Sequence, residues 1–272
     1  MAVVDTLVAA AGARERYELR FSRLATAASA AYGFQSMWQS AGIGGSASSL
    51  PTNGGANGRA CSSSTAGALL FPTPPSSKHW FLHAPQICAV GGSGHYMLFD
   101  KLADVQVNHA ANEAITGCDA TARLASGKGG MIMSEVVTNF SAASNVFNLT
   151  YTDQDGNSST TPNITTQASI TSGGAVSTFY LFLPLAAGDK GARTITAINN
   201  VSGAATGTML LSIVRPVFEF TIGSRLAELE RDLFLEFPQG VKIDDAACLF
   251  FGGSASSSFT HHLAGSLGLV AL

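Results

Sequence analysis

The six histidines are the side chains of this 272-residue chain best suited to acid–base or metal chemistry near neutral pH. His79 and His83 flank the run Trp80-Phe81-Leu82, which is typical of a strand and would place both imidazoles on one face of a sheet. No acidic residue stands beside them, so we interpret the pair as a polar surface patch and not as a metal site. His261 and His262 are adjacent and point to opposite faces of any strand, so they cannot easily chelate one ion together.

Three further patterns approach known motifs and fall short of them. Gly92-Ser93-Gly94-His95 lacks the final glycine of a nucleophile elbow and leads into a strand, which predicts a turn. Gly42-Ile43-Gly44-Gly45 is shorter than a dinucleotide-binding fingerprint and precedes no helix. Asp153-Gln154-Asp155-Gly156-Asn157 starts like a calcium loop, but Ser158 replaces the required glycine, so we predict a hairpin turn. The sequence therefore predicts no catalytic, cofactor-binding or metal-binding constellation, and no enzyme.

The four cysteines lie far apart and form no C-x-x-C pair, so their spacing does not predict a zinc or redox site. They are Cys61, Cys88, Cys118 and Cys248. Cys88 and Cys248 stand in apolar runs, where a buried free thiol is the ordinary interpretation. Free thiols suit a protein that folds in a reducing cytoplasm.

The composition favours a subunit of an assembly over a freely diffusing monomer. Hydrophobic residues make up 46% of the chain and charged residues only 12%. The net charge of −3 lacks the basic excess of nucleic-acid binders, so we expect no nucleic-acid partner. No uncharged apolar run reaches the roughly 18 residues that span a bilayer, and the N-terminus shows no secretion signal. We therefore expect the protein to be made in the cytoplasm and to have no membrane partner.

The elements that must position these side chains fall into three parts. Residues 1–40 are rich in helix formers, and Tyr17, Phe21 and Leu24 recur at helical spacing, which predicts an N-terminal helical arm. Tyr17, Leu19 and Phe21 also alternate, so a strand remains open there. Residues 41–65 are mostly Gly, Ser, Ala, Asn and Thr, which predicts a long loop or linker.

Residues 66–272 read as a β-sandwich or jelly-roll-like domain with a short helix near 224–233. The clearest strand is Val146–Thr152, in which apolar and polar residues alternate, and Asp155-Gly156 after it is a hairpin signal. The other predicted strands are Gly67–Phe71, His79–His83, His95–Phe99, Met131–Thr138, Ser177–Leu183, Arg193–Asn199, Thr208–Phe220 and Ala247–Phe251.

Several segments, taken in order, resemble a family of tailed-bacteriophage virion structural proteins. The segments are Ser36–Gly42, Gly67–Phe71, Leu98–Leu102, Leu149–Gly156, Leu183–Thr194 and Ser212–Pro216. The resemblance covers about residues 36 to 216 and implies a non-enzymatic virion protein, with capsid decoration as the role that we predict. The alternatives are a tail component, such as a tube, adaptor or fibre-attachment subunit, and a carbohydrate-binding adsorption module around Trp80.

The partners that follow from this interpretation are other virion proteins. We expect a homo-oligomer, for which a trimer is one arrangement, bound to the phage major capsid protein or its neighbours in the virion. We expect no cofactor. Interface residues are predicted in and after the N-terminal arm, where mixed charges and aromatic rings cluster. They are Arg14, Arg16, Tyr17, Arg20, Phe21, Arg23 and Trp38.

Overall fold

The structure is a computed structural model that describes residues 16–24, 34–38, 42–43, 57–89, 93–138, 140–141, 144–166, 180–204, 206–223, 228–230, 241–255 and 262–272. These residues form eighteen β-strands and no α-helix, which confirms the predicted mainly-β class. The strands are β1 (Arg16–Leu24), β2 (Phe34–Ser36), β3 (Gly42–Ile43), β4 (Arg59–Ala60), β5 (Trp80–Ala89), β6 (Gly94–Asn108), β7 (Glu113–Ala114), β8 (Met131–Thr138), β9 (Val146–Asp153), β10 (Ser158–Thr160), β11 (Ile164–Thr165), β12 (Tyr180–Phe182), β13 (Ala192–Ser202), β14 (Thr208–Ile222), β15 (Glu228–Glu230), β16 (Val241–Lys242), β17 (Leu249–Ala255) and β18 (His262–Ala271). No helix able to cross a bilayer is found in this part of the chain.

The predicted N-terminal helix is wrong over residues 16–24, which form β1. This strand pairs antiparallel with β18 along its whole length. Leu19 and Phe21 are buried, and Glu18 and Arg20 are exposed, which is the period-two pattern of a half-buried strand. Helix propensity is a weak preference, and a partner strand that buries one face overrides it. The residues of the predicted arm before β1 lie outside the described residues.

The short helix predicted near 224–233 is also wrong in the part that the structure describes. Glu228–Glu230 is β15, and it pairs antiparallel with Gln86–Cys88 of β5. The hydrogen bonds between β15 and β5 satisfy backbone N–H and C=O groups that would otherwise have bonded to each other within a helix. The other residues of this predicted helix lie outside the described ones.

The strands form three antiparallel sheets. The six-stranded sheet has the order β15-β5-β18-β1-β3, with β16 also on β5. The five-stranded sheet has the order β10-β9-β13-β7, with β11 also on β9. The seven-stranded sheet has the order β12-β8-β14-β6-β17-β2, with β4 also on β6. At its centre β6 and β14, of 15 residues each, pair with one another.

The two long strands run through two separate cores on the same face of their sheet. Core 1, against the five-stranded sheet, contains Val105 and Val107 of β6. Core 2, against the six-stranded sheet, contains Tyr96 and Leu98 of the same strand. The β6–β14 register shifts between these two groups. Packing of sheet on sheet is the arrangement of a β-sandwich, and here one central sheet packs against two others.

The opposite face of the seven-stranded sheet carries core 3. Its buried apolar residues are Trp38, Cys61, Ala68, Phe99, Met133, Val137, Leu210, Val214, Cys248 and Phe250. Strands β2 and β12, which end the sheet on its two sides, contact each other. The seven-stranded sheet therefore curves around core 3.

All predicted strands but one are present where the structure describes them; residues 177–179 of the predicted strand Ser177–Leu183 lie outside the described residues. Met131–Thr138 is β8, and β9 alternates as predicted, with Phe147, Leu149 and Tyr151 buried. Gly67–Phe71 is not a strand. It is an irregular segment that lies against β17, where the N–H of Leu69 donates to the carbonyl of Leu249 at 2.8 Å.

This irregular segment provides a matched test of the packing. Leu69 is 1% exposed in core 2, and the next residue, Leu70, is 56% exposed. We expect Leu69→Ala to lower the free energy of unfolding by about 2–5 kcal/mol because it leaves a cavity. Leu70→Ala should change it by no more than about 0.5 kcal/mol. Urea unfolding of both variants measures the difference, and equal losses would show that the segment does not lie on the core as described.

Candidate functional site

Six of the seven predicted interface residues are described by the structure, and three of these six are exposed. Arg16, Tyr17 and Arg20 are exposed on β1, and the exposed fraction of Tyr17 is 37%. Arg14 lies outside the described residues. These three side chains are exposed on a strand and not on a helix, and their role in an interface stays a prediction.

The other three predicted interface residues are buried within the chain itself. Phe21 packs in core 2 with its ring centroid 4.6 Å from that of Phe251. Arg23 is 1% exposed and donates from Nη2 to the carbonyl of Gly67 at 3.4 Å, and burial lowers its pKa. Trp38 is fully buried in core 3. These side chains stabilise the fold and are not available to a partner, which corrects their assignment to the interface.

The most polar site of the described residues is internal and centres on Asp100 of β6. The fully buried carboxylate accepts two hydrogen bonds from Nη1 of Arg123, at 2.6 and 2.8 Å. It accepts a third from Nη2 of Arg215 on β14 at 2.9 Å, and a fourth from the backbone N–H of Cys248 at 2.9 Å. Both carboxylate oxygens are thus bound by donors from three separate parts of the chain.

Lys101, the next residue along β6, holds a second set of charges in the protein interior. Its Nζ lies 3.4 Å from a carboxylate oxygen of Glu135 and 3.8 Å from one of Asp104, and all three side chains are fully buried. The same Nζ lies 4.0 Å from the ring centroid of Trp38, a cation–π contact. Arg59 on β4 also belongs to this set of charges, since it donates to both carboxylate oxygens of Asp104, at 2.8 and 3.2 Å.

These two sets of contacts hold distant parts of the chain together. Each carboxylate of Asp100, Asp104 and Glu135 faces a cation of this chain. Among the described residues, no group of three or more His, Cys, Asp or Glu could hold a metal ion.

Sequence reasoning missed most members of this charge network. Arg59, Asp104, Arg123 and Glu135 were not singled out by any motif. The available signal was the presence of charges inside an otherwise apolar strand of 15 residues, in a chain with few charges. Fully buried charged side chains are rare unless paired, so such charges predict partners without saying which they are.

The histidines do not assemble a catalytic or metal site in the described part of the chain. Nδ1 of His79 lies 3.1 Å from a carboxylate oxygen of Asp245 on the surface. His262 contacts Ser22 across the β1–β18 pair, with Nε2 2.7 Å from Oγ. A serine nucleophile also needs a group that orients its histidine, and no carboxylate hydrogen bond to His262 is present among these residues.

The Asp153 loop is a hairpin, as predicted, and not a calcium loop. Oδ1 of Asp153 accepts the backbone N–H groups of Asp155 and Asn157, both at 2.8 Å. Gly156 has a φ of +89°, which favours glycine at this turn. The carboxylate that would have bound a cation instead stabilises the turn between β9 and β10.

Two of the resembling segments, Leu149–Gly156 and Leu183–Thr194, contact each other. The hydroxyl of Tyr151 donates to a carboxylate oxygen of Asp189 and accepts the N–H of Ala186 at 2.8 Å. Burial and this aspartate raise the pKa of Tyr151 to about 12, so the hydroxyl remains a donor at neutral pH. The loop before β13 is held on the five-stranded sheet by these bonds.

The four cysteines are free thiols. Cys61, Cys118 and Cys248 are buried, and Cys88 is half-buried. A hydrogen bond with Cys248, together with burial, raises the pKa of Cys61, and burial raises that of Cys118. The predicted buried thiol is confirmed for Cys248, and Cys88 is only partly covered.

Comparison with known proteins identifies no family. No family model matches the chain, and no curated protein matches it. The VP2 subviral particle of infectious bursal disease virus is similar at 9% identity and a TM-score of 0.20, over 95% of this chain and 81% of that chain. The structure of the Gt strain of that virus gives 10% identity and a TM-score of 0.21, over 96% of this chain and 82% of the other. Scores this low do not establish a shared fold, so these matches carry no argument.

The Asp100 contacts predict a large effect from a small chemical change. Asp100→Asn keeps the shape of the side chain but leaves Arg123 and Arg215 without a counter-charge. We expect this variant to lower the free energy of unfolding by about 3–5 kcal/mol, because removing one partner of a buried ion pair leaves the other charge uncompensated.

The matched control is Asp245→Asn, because its carboxylate pairs with His79 and is 42% exposed. We expect this variant to change the free energy of unfolding by no more than about 1 kcal/mol. Denaturant titration compares the two. A loss below 1 kcal/mol for Asp100→Asn would contradict the role given to this carboxylate.

Proposed function

We propose that this protein is a non-enzymatic structural component of a tailed-bacteriophage particle, and that within the particle it is a capsid decoration protein. It would bind between major capsid subunits, self-associate and stabilise the head. Its place would be the virion, assembled in the cytoplasm of the bacterial host. A jelly-roll arrangement of the sandwich belongs to the same proposal.

The observation that carries the proposal is the position of the segments that resemble the phage family. The Ser36–Gly42 segment supplies Trp38 and the Leu98–Leu102 segment supplies Lys101, and these two side chains meet in core 3. The Ser212–Pro216 segment supplies Arg215, which binds Asp100. The resembling segments thus supply buried contacts that join distant parts of the seven-stranded sheet, which supports a structural role.

The distribution of charge supports assembly over independent diffusion. Only 12% of the residues are charged, and Arg23, Asp100, Lys101, Asp104 and Glu135 are buried. These five charged side chains are therefore not available to keep the surface solvated. Charge keeps proteins soluble and apart, and a surface with little of it favours contact with neighbouring subunits.

The carbohydrate-binding alternative is not favoured by the residues on which it depended. Trp80 is 4% exposed in core 2, and its Nε1 donates to the carbonyl of Pro72 at 2.8 Å. A sugar platform needs an exposed aromatic face. His79 beside it is engaged with Asp245.

Particles that lack this protein test the proposal and separate head from tail. If the protein decorates the capsid, heads should form at normal size, package DNA and release it at a lower temperature than wild-type particles. Binding to the folded shell stabilises it by mass action, so purified protein added back should restore the heat resistance. Heads of full heat stability with missing or detached tails would contradict decoration and favour the tail component.

A further inference from the structure

Lys101 and Glu135 form a buried ion pair whose geometry is looser than that of the Asp100 pairs. Nζ of Lys101 lies 3.4 Å from Oε2 of Glu135, whereas the hydrogen bonds from the arginines to Asp100 are 2.6–2.9 Å long. Charge-assisted hydrogen bonds of this type are ordinarily about 2.7–2.9 Å long. The other carboxylate oxygen of Glu135, Oε1, is buried and accepts no hydrogen bond from the described residues. A buried ion pair offsets its desolvation only when its geometry is good and its other polar atoms are bonded, and this pair meets neither condition.

The curved sheet brings these two side chains together from strands that are not neighbours. Lys101 is on β6 and Glu135 is on β8, with β14 between them. Two strand spacings amount to about 10 Å, which a lysine and a glutamate bridge when they meet end to end. Ser212 of β14 lies between Leu210 and Val214, which both belong to core 3, so it faces the same side of the sheet. Its buried hydroxyl also has no hydrogen-bond partner among the described residues.

Asp104 is a third charged group that lies close to the amine of Lys101. The register between β6 and β14 shifts between Lys101 and Ala103, so Lys101 and Asp104 face the same side of the sheet although they are three positions apart. Oδ2 of Asp104 lies 3.8 Å from Nζ. Arg59 donates to both oxygens of Asp104 and thereby fixes the orientation of this carboxylate. A proton acceptor is therefore held beside the lysine nitrogen.

The surroundings of these groups separate them from water. The side chains of Lys101, Asp104 and Glu135 are fully buried. Nζ lies 4.0 Å from the ring centroid of Trp38 and 5.3 Å from that of Phe250. An amine and a carboxyl group held in contact without water are placed to react with each other, and the product is protected from hydrolysis. One neutral amide also costs less to bury than two ions.

We propose that Nζ of Lys101 and Cδ of Glu135 are joined by an isopeptide bond that the folded chain forms within itself. One proton moves from the ammonium group to the Glu135 carboxylate, which gives a neutral amine and a carboxylic acid. Nζ then attacks Cδ, Asp104 accepts the proton that the nitrogen loses, and this proton goes to the leaving oxygen. The Cδ–O bond breaks and one water is released. An ammonium and a carboxylate thus become one amide and one water, without an oxidant or a cofactor.

This inference goes beyond the proposed function and does not rest on it, because it concerns a single folded chain. The bond forms once in each molecule and turns over no substrate, so it agrees with a structural role. It links β6 covalently to β8 across β14. Failure of the test would leave the proposed place in the virion unchanged.

The mass of the purified folded protein tests the bond directly. The wild type should be lighter than its sequence by about 18 Da, the mass of one water. After denaturation and digestion with trypsin, Lys101 should escape cleavage, and residues 79–123 should be found joined to residues 129–190. A wild type of full mass, or a link between other residues, would overturn the proposal.

Three variants locate the reaction. Lys101→Arg keeps the positive charge but has no nucleophilic amine, so its mass should equal that of its own sequence. Lys242→Arg is the matched control, because it makes the same change at an exposed lysine of β16 and should still lack one water. Asp104→Asn keeps both reacting groups and removes the proton acceptor, so the variant should retain its full mass when circular dichroism shows it folded.

The opposite results have defined meanings. If Lys101→Arg still lacks one water, or if Lys242→Arg has its full mass, the dehydration lies elsewhere and the proposal is overturned. A folded Asp104→Asn protein that lacks one water would overturn the role given to Asp104.

Discussion

The buried carboxylate of Asp100 is the contact on which the centre of the seven-stranded sheet depends. It lies on β6 between the residues that face core 2 and those that face core 1, and its donors come from the Arg123 loop, from β14 and from the start of β17. An ion removed from water costs several kcal/mol unless its partners are all in place. These donors therefore have to assemble together. We infer that this mutual dependence fixes how β6, β14, the residue before β17 and the Arg123 loop come together.

Lys101 extends the same constraint to the other face of the sheet. Successive residues of a strand point to opposite faces, so Asp100 serves the side of cores 1 and 2 and Lys101 serves core 3. Through Trp38, Glu135 and Asp104, Lys101 joins the segments that surround core 3. Several of the few charges of this chain thus lie inside the protein, each carboxylate facing a cation of the same chain.

Local patterns in the sequence predicted the local structure well. The alternation of Phe147, Leu149 and Tyr151 and the Asp155-Gly156 turn predicted β9 and its hairpin, because neighbouring residues determine both. The β1 segment satisfied helical and strand periods at once. Only β18, distant in the chain, decides between them. Glu18 and Arg20 are exposed on this strand, and the interface role of the mixed charges there stays a prediction.

The charge network could not be predicted in the same way, because its partners are far apart along the chain. Asp100 and Arg123 are separated by 23 residues, and Lys101 and Glu135 by 34. No short sequence motif contains both members of such a pair. The sequence could indicate that charges inside β6 need partners, and only the fold brings the partners to them.

The central claim is that one pair of strands, β6 and β14, makes both sandwich cores a single unit. Differential scanning calorimetry of dilute protein tests it most directly, because it compares the measured heat of unfolding with the heat expected for an all-or-none transition. The account predicts one peak with equal calorimetric and van't Hoff enthalpies. Two resolved peaks, or a van't Hoff enthalpy well below the calorimetric value, would contradict it by showing that the cores unfold independently.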